Sequence, residues 1–184
     1  PRKFTVHETK PMLLSDFTTV LMRKDPPMNI DYVFACQILR LAPKKTFVMN
    51  DPSALLTYNE KLFIFEFPQF IAPTIVAKDK KRLKEFVKEQ KKIVLKPLES
   101  FGGREIIVLE EGDLNTNSIL DVMTHHGKRF IMAQKYLPEV RKGDKRILVL
   151  NGEILGFLTR TAPPDDHRAN TAVGGGFYTG TLTA

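Results

Sequence analysis

The chain has 184 residues, 42% hydrophobic and 27% charged, enough to bury a core and unlike a disordered tail. A single cysteine, Cys36, excludes an intrachain disulfide framework and a cysteine-rich zinc site, and no apolar run approaches the roughly 20 residues of a membrane-spanning helix. Lys and Arg number 28 against 21 Asp and Glu, and the resulting +7 favours anionic partners: nucleic acid, nucleotides, acidic substrates or acidic lipids. With no apolar core behind Pro1-Arg2-Lys3-Phe4, no secretory signal is read there, and a reducing, cytoplasmic compartment is expected.

In chain order, Val20-Leu21-Met22 reads as a short buried strand stopped by Arg23-Lys24-Asp25-Pro26-Pro27. Asp31 is placed to cap a helix carrying Tyr32, Ala35, Cys36, Ile38 and Leu39 at spacings of three and four. Pro43 ends it, and Thr46-Phe47-Val48-Met49 is a second short strand before the turn Asn50-Asp51-Pro52-Ser53. Strand, helix, strand reads as the end of an open α/β domain over 1–52. A second unit over 53–134 opens with a helical stretch through Leu55, Leu56, Tyr58, Leu62 and Phe63. It continues with a strand at Thr74-Ile75-Val76 and a helix from Asp79 with Leu83, Phe86 and Val87 on one face. Strands at Ile93–Leu98, Ile106–Leu109 and Phe130–Gln134, and a helix over Ser118–His126, complete an antiparallel α+β lobe. A third region, 135–184, carries Arg146–Leu150 and Ile154–Leu158 around Asn151-Gly152, a strong short-range hairpin signal. Thr161 to Gly176 is loop-like, and both chain ends read as cut.

Several segments could carry chemistry, and each has a plain alternative. From Lys78 to Lys92 eight of fifteen residues are Lys or Arg; the plain reading is a solvated helix face. Lys96 ends a buried strand and precedes Gly102-Gly103; an ammonium and Cβ-free backbone N–H groups suit phosphate, while an ordinary hairpin turn is the alternative. No Gly-Lys-Ser/Thr follows, so this is not a Walker A loop. Lys61, within Asn59-Glu60-Lys61-Leu62, is read on a helix and could be a surface lysine. Gln134-Lys135-Tyr136-Leu137 could offer backbone groups to an adenine edge or serve as a linker. A tight hairpin would bring Asp144, Lys145 and Arg146 to one sheet edge with Arg160, for anion contacts or as edge-strand charge. Arg168, Asn170 and Gly174-Gly175-Gly176 lie in a segment that suits an active-site lid or a flexible linker. The four histidines have no metal-ligand spacing and read as surface residues, and Cys36 as core.

The order of these segments resembles the ATP-grasp ligases, and more closely the bacterial glutathione synthetase family. The motifs are Asn-Glu-Lys-Leu-Phe at 59–63, Leu-Lys-Pro-Leu at 95–98 with Gly102-Gly103, Gln-Lys-Tyr-Leu-Pro at 134–138 and Gly-Asp-Lys-Arg at 143–146. Arg160, the Arg-x-Asn-x-x-x-Gly-Gly-Gly loop, Leu-Met-Arg-Lys-Asp-Pro-Pro at 21–27 and Asn-Asp-Pro at 50–52 add to it. The resemblance implies an ATP-grasp fold: the end of an N-terminal α/β domain, a small lobe with a phosphate loop, and the start of a C-terminal lobe whose sheet is incomplete. It implies ATP bound by Lys61, Lys96, the loop Glu99, Ser100, Phe101, Gly102 and Gly103, the segment Gln134, Lys135, Tyr136 and Leu137, and Asp144. Arg146, Arg160 and Arg168 would be catalytic; Arg160, Asn170 and Arg23 would face substrates. The implied reaction activates the γ-glutamylcysteine carboxylate as an acyl phosphate, which glycine's amine attacks, with Mg2+, or Mn2+ in its place. Lysine, arginine and metal charge would steady the transferring phosphoryl group, and a closing lid would keep water from the intermediate. The family's metal ligands are expected beyond Ala184, so the 184-residue piece is expected to be inactive alone. The partners implied are small molecules, without nucleic acid or membrane, in a homo-oligomer. Two other readings stand beside this one: another ATP-grasp amino-acid ligase of the glutamate-adding kind, and a non-catalytic nucleotide- or nucleic-acid-binding module.

Overall fold

The computed structural model describes residues 5–24, 27–163 and 176–179. The chain divides into two units, Pro1–Glu60 and Lys61–Ala184.

In the first unit, β1 (Thr19–Leu21) and β2 (Phe47–Met49) pair in parallel, Val20 opposite Val48. A parallel pair needs a crossover, and helix α1 (Ile30–Leu39) supplies it. Its cap is Asn29, not Asp31: the Asn29 side chain accepts the Tyr32 N–H at 3.1 Å from an extended backbone. Asp31 instead lies in the first turn, where a carboxylate complements the helix's positive end. Cys36 is fully buried, as read from its helix face, and that burial pushes its thiol's proton affinity up. Helix α2 (Pro52–Thr57) starts on Asp51, whose carboxylate accepts the N–H groups of Ser53 and Ala54 at 2.7 and 3.3 Å. Pro52 sits at the first helical position, where a missing N–H costs nothing. This helix packs against α1 inside the first unit rather than opening the second.

The helical stretch expected through Phe63 is broken. Thr57 turns its hydroxyl back onto the Ser53 carbonyl at 2.9 Å, Tyr58 leaves the helical region, and residues 60–62 form a turn. Lys61 is therefore presented from a turn and not from a helix. Short 3-10 turns follow at Phe63–Glu66 and Pro68–Phe70, and Pro68 keeps Phe67 out of the helical region.

The second unit contains a four-stranded sheet ordered β3-β6-β4-β5, from β3 (Thr74–Ala77), β4 (Lys92–Pro97), β5 (Ile107–Glu110) and β6 (Ile131–Lys135), every neighbour antiparallel. Strand period two divides its residues between two faces. One face holds Ile93, Leu95, Leu109, Ile131 and Ala133, which pack with Leu83, Phe86, Val87, Leu120 and Met123 into the core. The last five come from α3 (Lys80–Gln90) and α4 (Thr116–Met123). Asp79 caps α3 through the Arg82 N–H at 2.7 Å, and the spacing read from sequence puts the right three residues inside. The basic run is largely a solvated, ion-paired surface. Lys80 meets Asp121 at 2.5 Å, Arg82 meets Glu89 at 2.9 Å, Lys91 meets Glu111 at 2.8 Å, and Lys92 meets Glu110.

A three-stranded antiparallel sheet follows, from β7 (Asp144–Leu150), β8 (Glu153–Thr161) and β9 (Gly176–Thr179). The expected hairpin is present. Asn151 and Gly152 have φ of 51° and 83°, the paired positive values that a tight two-residue turn demands. Gly143 precedes β7 at φ 111°, and a Cβ there would lie 2.7 Å from the Arg160 carbonyl oxygen.

Candidate functional site

The face of the four-stranded sheet opposite the core carries a line of polar side chains. Thr74, Gln134 and Val94 stand side by side on β3, β6 and β4, and Lys96 is one step along β4, opposite Met132. The Lys96 ammonium donates to Gln134 Oε1 at 2.9 Å, and Gln134 Nε2 donates to Thr74 Oγ1 at 2.9 Å. The Thr74 hydroxyl donates its own proton to the Ala72 carbonyl at 2.6 Å. That proton being spent, the hydroxyl accepts from the Gln134 amide nitrogen, which turns the amide oxygen toward Lys96. Thr74 orients the site and carried no signal in the sequence beyond a place on a strand.

Lys96 is half-buried, and its proton affinity is pushed below the ordinary lysine range, first by burial and second by the charge of Lys61. Lys61 Nζ donates to the carbonyls of Leu98 and Ser100 at 3.2 and 2.5 Å. Two ammonium groups thus converge where β4 gives way to the loop, an arrangement that an anion would relieve.

That loop, Glu99 to Gly103, turns on Gly102 and Gly103 at φ 64° and 81°. The Ser100 hydroxyl lies 3.2 Å from the Arg104 carbonyl, and the Arg104 guanidinium stands 5.0 Å from the centre of the Phe101 ring. Glu99 is held by Arg129, a residue the sequence reading did not single out. A pair 30 residues apart, one partner in a turn, leaves no periodic trace.

In the segment Gln134 to Leu137, two backbone donors are already engaged. The Lys135 N–H goes to the Pro73 carbonyl at 2.9 Å and the Tyr136 N–H to the Lys92 carbonyl at 3.0 Å. The Tyr136 ring lies 4.8 Å from the Lys92 ammonium, while Lys135 and Leu137 are exposed. The hairpin places Asp144 opposite Arg160, with Arg146 on the same face by period two. Arg160 holds Asp144 through a bidentate pair at 2.7 and 2.5 Å, and that bond raises the guanidinium's proton affinity further. Arg146 is exposed on its strand. Arg23 is exposed in the first unit, and Arg168 and Asn170 lie outside the described residues.

The residues present suit a polyphosphate: two converging ammonium groups beside a loop with two glycines. Among the described residues no three His, Cys, Asp or Glu cluster to hold an ion, and the Asp144 carboxylate is taken by Arg160. Among the described residues no helix is long and apolar enough to cross a membrane.

Comparison with known proteins adds two family matches. The model for the prokaryotic glutathione synthetase N-terminal domain matches residues 1–55, and that for its ATP-grasp domain matches residues 60–184. The glutathione synthetase of Thermosynechococcus vestitus is 45% identical over 163 residues, 88% of this chain and 51% of that protein. The glutathione synthetase of Escherichia coli O127:H6 is 41% identical over 175 residues, 94% of this chain and 55% of that protein. The chain spans about half the length of the curated relatives it matches. Among solved structures, D-cycloserine synthetase DcsG superposes with a TM-score of 0.65 at 14% identity, covering 86% of this chain and 58% of that one. The RimK domain ATP-grasp protein from Sphaerobacter thermophilus gives 0.61 at 20% identity, covering 79% and 56%. Likeness at these identities shows the fold, which is ATP-grasp. N-terminal and ATP-grasp matches in succession along one chain, with identities above 40% across nearly all of it, place this chain in the prokaryotic glutathione synthetase family.

Proposed function

We propose that this chain carries the nucleotide-binding part of a ligase that joins γ-glutamylcysteine to glycine at the expense of ATP. The observation that carries the reading is the Lys96–Lys61 pair beside the Gly102-Gly103 loop, on a chain whose relatives are named glutathione synthetase. Phosphoryl transfer asks a protein mainly for positioning and positive charge, and this site offers both. Bound ATP supplies the phosphoryl group that activates a carboxylate. Lys96 and Lys61 hold the phosphates, and the backbone of Glu99, Ser100, Phe101, Gly102 and Gly103 covers them. The segment Gln134, Lys135, Tyr136 and Leu137 receives the adenine, and Asp144 borders the same site. Arg146 and Arg160 carry charge toward the reacting phosphate and the acceptor carboxylate, joined by Arg168 and Asn170 from the sequence that follows β8. Arg23 faces the dipeptide. Mg2+ is the expected companion of the nucleotide, with Mn2+ as a substitute; a structural neighbour, the ATP-grasp ligase PsnB, is complexed with a minimal precursor, Mg and ADP. The protein works in the cytoplasm, on small molecules, as a homo-oligomer, without nucleic acid or membrane.

The test is phosphate release from ATP by the full-length protein. Release that requires both γ-glutamylcysteine and glycine supports the reading. Release driven instead by glutamate added to another acceptor would move it to the glutamate-adding ligases. Binding of nucleic acid that weakens steeply with salt, without ATP turnover, would overturn both.

A further inference from the structure

Arg129 joins two carboxylates that bracket one loop. Its Nε donates to Glu99 Oε1 at 2.7 Å and its Nη2 to Glu105 Oε2 at 3.0 Å, while Nη1 lies 3.4 Å from His125 Nε2. Glu99 stands just before Ser100–Arg104 and Glu105 just after it, so one guanidinium closes both stems of the loop that carries Gly102 and Gly103. The side chain of Arg129 is only 14% exposed. Its backbone is fixed as well: the Arg129 N–H bonds the Thr124 carbonyl at 2.7 Å. Thr124 is buried, donates its hydroxyl to Leu120 O at 2.7 Å, and accepts the Gly127 N–H at 3.0 Å. Leu120 belongs to the core. The chain of contacts therefore runs from the core, through the turn after α4, to both ends of the loop.

We propose that Arg129 is a positioning residue for nucleotide binding: it latches the 99–105 loop to the core so that the loop's N–H groups hold one orientation toward phosphate. The inference rests on the ATP-ligase reading above. A planar guanidinium bonds two carboxylates from separate edges at once, which a lysine ammonium reproduces poorly. Without the latch the loop still has its glycines and Lys61, but its backbone donors are spread over more conformations before ATP arrives, and binding must order them.

The experiment uses the full-length protein with Arg129→Met, Arg129→Lys and Glu105→Gln. Arg129→Met is expected to raise KM for ATP about tenfold, with kcat and the KM values for dipeptide and glycine within about threefold. Arg129→Lys is expected to recover part of the loss, and Glu105→Gln, removing one of two contacts, to raise KM for ATP about threefold. Trypsin cleavage after Arg104, inside the loop, should quicken in the same order and slow again with ATP. An Arg129→Met protein with wild-type KM for ATP and wild-type cleavage overturns the proposal. So does one in which every KM rises together as the melting temperature falls, the mark of a general structural loss. Should Arg129→Met fail to fold, Glu105→Gln decides by the same two readouts. A wild-type protein that binds no ATP overturns the ligase reading and the nucleotide role of Arg129 with it, while the cleavage rates still judge the latch itself.

Discussion

Strands β4 and β7 both contain runs of branched aliphatic residues, yet they meet different surroundings. Along β4 every second residue is buried, and Ile93 and Leu95 are fully enclosed by residues of α3, α4 and the neighbouring strands. Along β7, Ile147, Leu148, Val149 and Leu150 remain 48–60% exposed, and Ile154 and Leu155 on β8 are exposed as well. Apolar character makes a strand ready to be covered; a second layer does the covering. The consequence for the site is that Lys96 and Gln134 rise from strands whose other side is locked into a core. Arg146 rises from the exposed strand β7, and Arg160 from the half-buried end of β8.

The largest test of that contrast is a pair of truncations. In the 184-residue chain Leu95→Ala should cost about 2–5 kcal/mol, whereas Leu148→Ala should cost less than about 1 kcal/mol. Denaturant melts of both variants decide it, and equal costs would break the comparison. Gly143→Ala comes next. The new Cβ would lie 2.7 Å from the Arg160 carbonyl and 2.8 Å from Thr159 Cγ2, at φ 111°. A loss of about 1–3 kcal/mol is expected. Amide exchange should quicken in β7 and β8 while β4 and β6 keep their protection.

Lys96→Met sharpens the contrast from the site side. It should weaken ATP at least about tenfold while changing stability by no more than about 1 kcal/mol, because losing the bond to Gln134 offsets the relief of removing a desolvated ammonium from beside another. The same ammonium sets a pH dependence. Burial and then Lys61 depress its proton affinity, and a bound phosphate would restore it. ATP binding should therefore take up protons at pH values between the lowered and the restored pKa. Affinity should fall as pH rises through the lowered value. Titration calorimetry in two buffers of different ionisation enthalpy measures the uptake, and Lys96→Met should abolish it. The smallest effect belongs to the exposed side of α3, where Lys84→Ala should change stability by no more than about 0.5 kcal/mol.

Much of the fold was legible because periodicity and turn chemistry are local. Leu83, Phe86 and Val87 announce one helix face, and Asn151-Gly152 announces a hairpin, before any tertiary contact is known. Lys96 was legible in the same way, as a charge ending an apolar strand. What escaped depended on competition between neighbours or on distance. Asn29 took the cap that Asp31 could have held, and the backbone left the helical region at Tyr58, which hydrophobic spacing does not register. Arg129 and Thr74 act through partners brought close only by the folded sheet and its turns. Arg168 and Asn170 fall outside the described residues, so their place in the site rests on resemblance alone.

The alternation along β4 also guards against misalignment. A slip of one residue against β6 would turn every side chain to the opposite face. Lys96 would be driven into the hydrocarbon among Leu83, Leu120 and Ile131, and Leu95 would take its place beside Gln134. Both errors are costly, one by burying an ammonium and one by leaving a polar amide facing a methyl group. The ladder is thus keyed from both sides, and the lysine read here as a phosphate contact also proofreads the strand pairing that positions it.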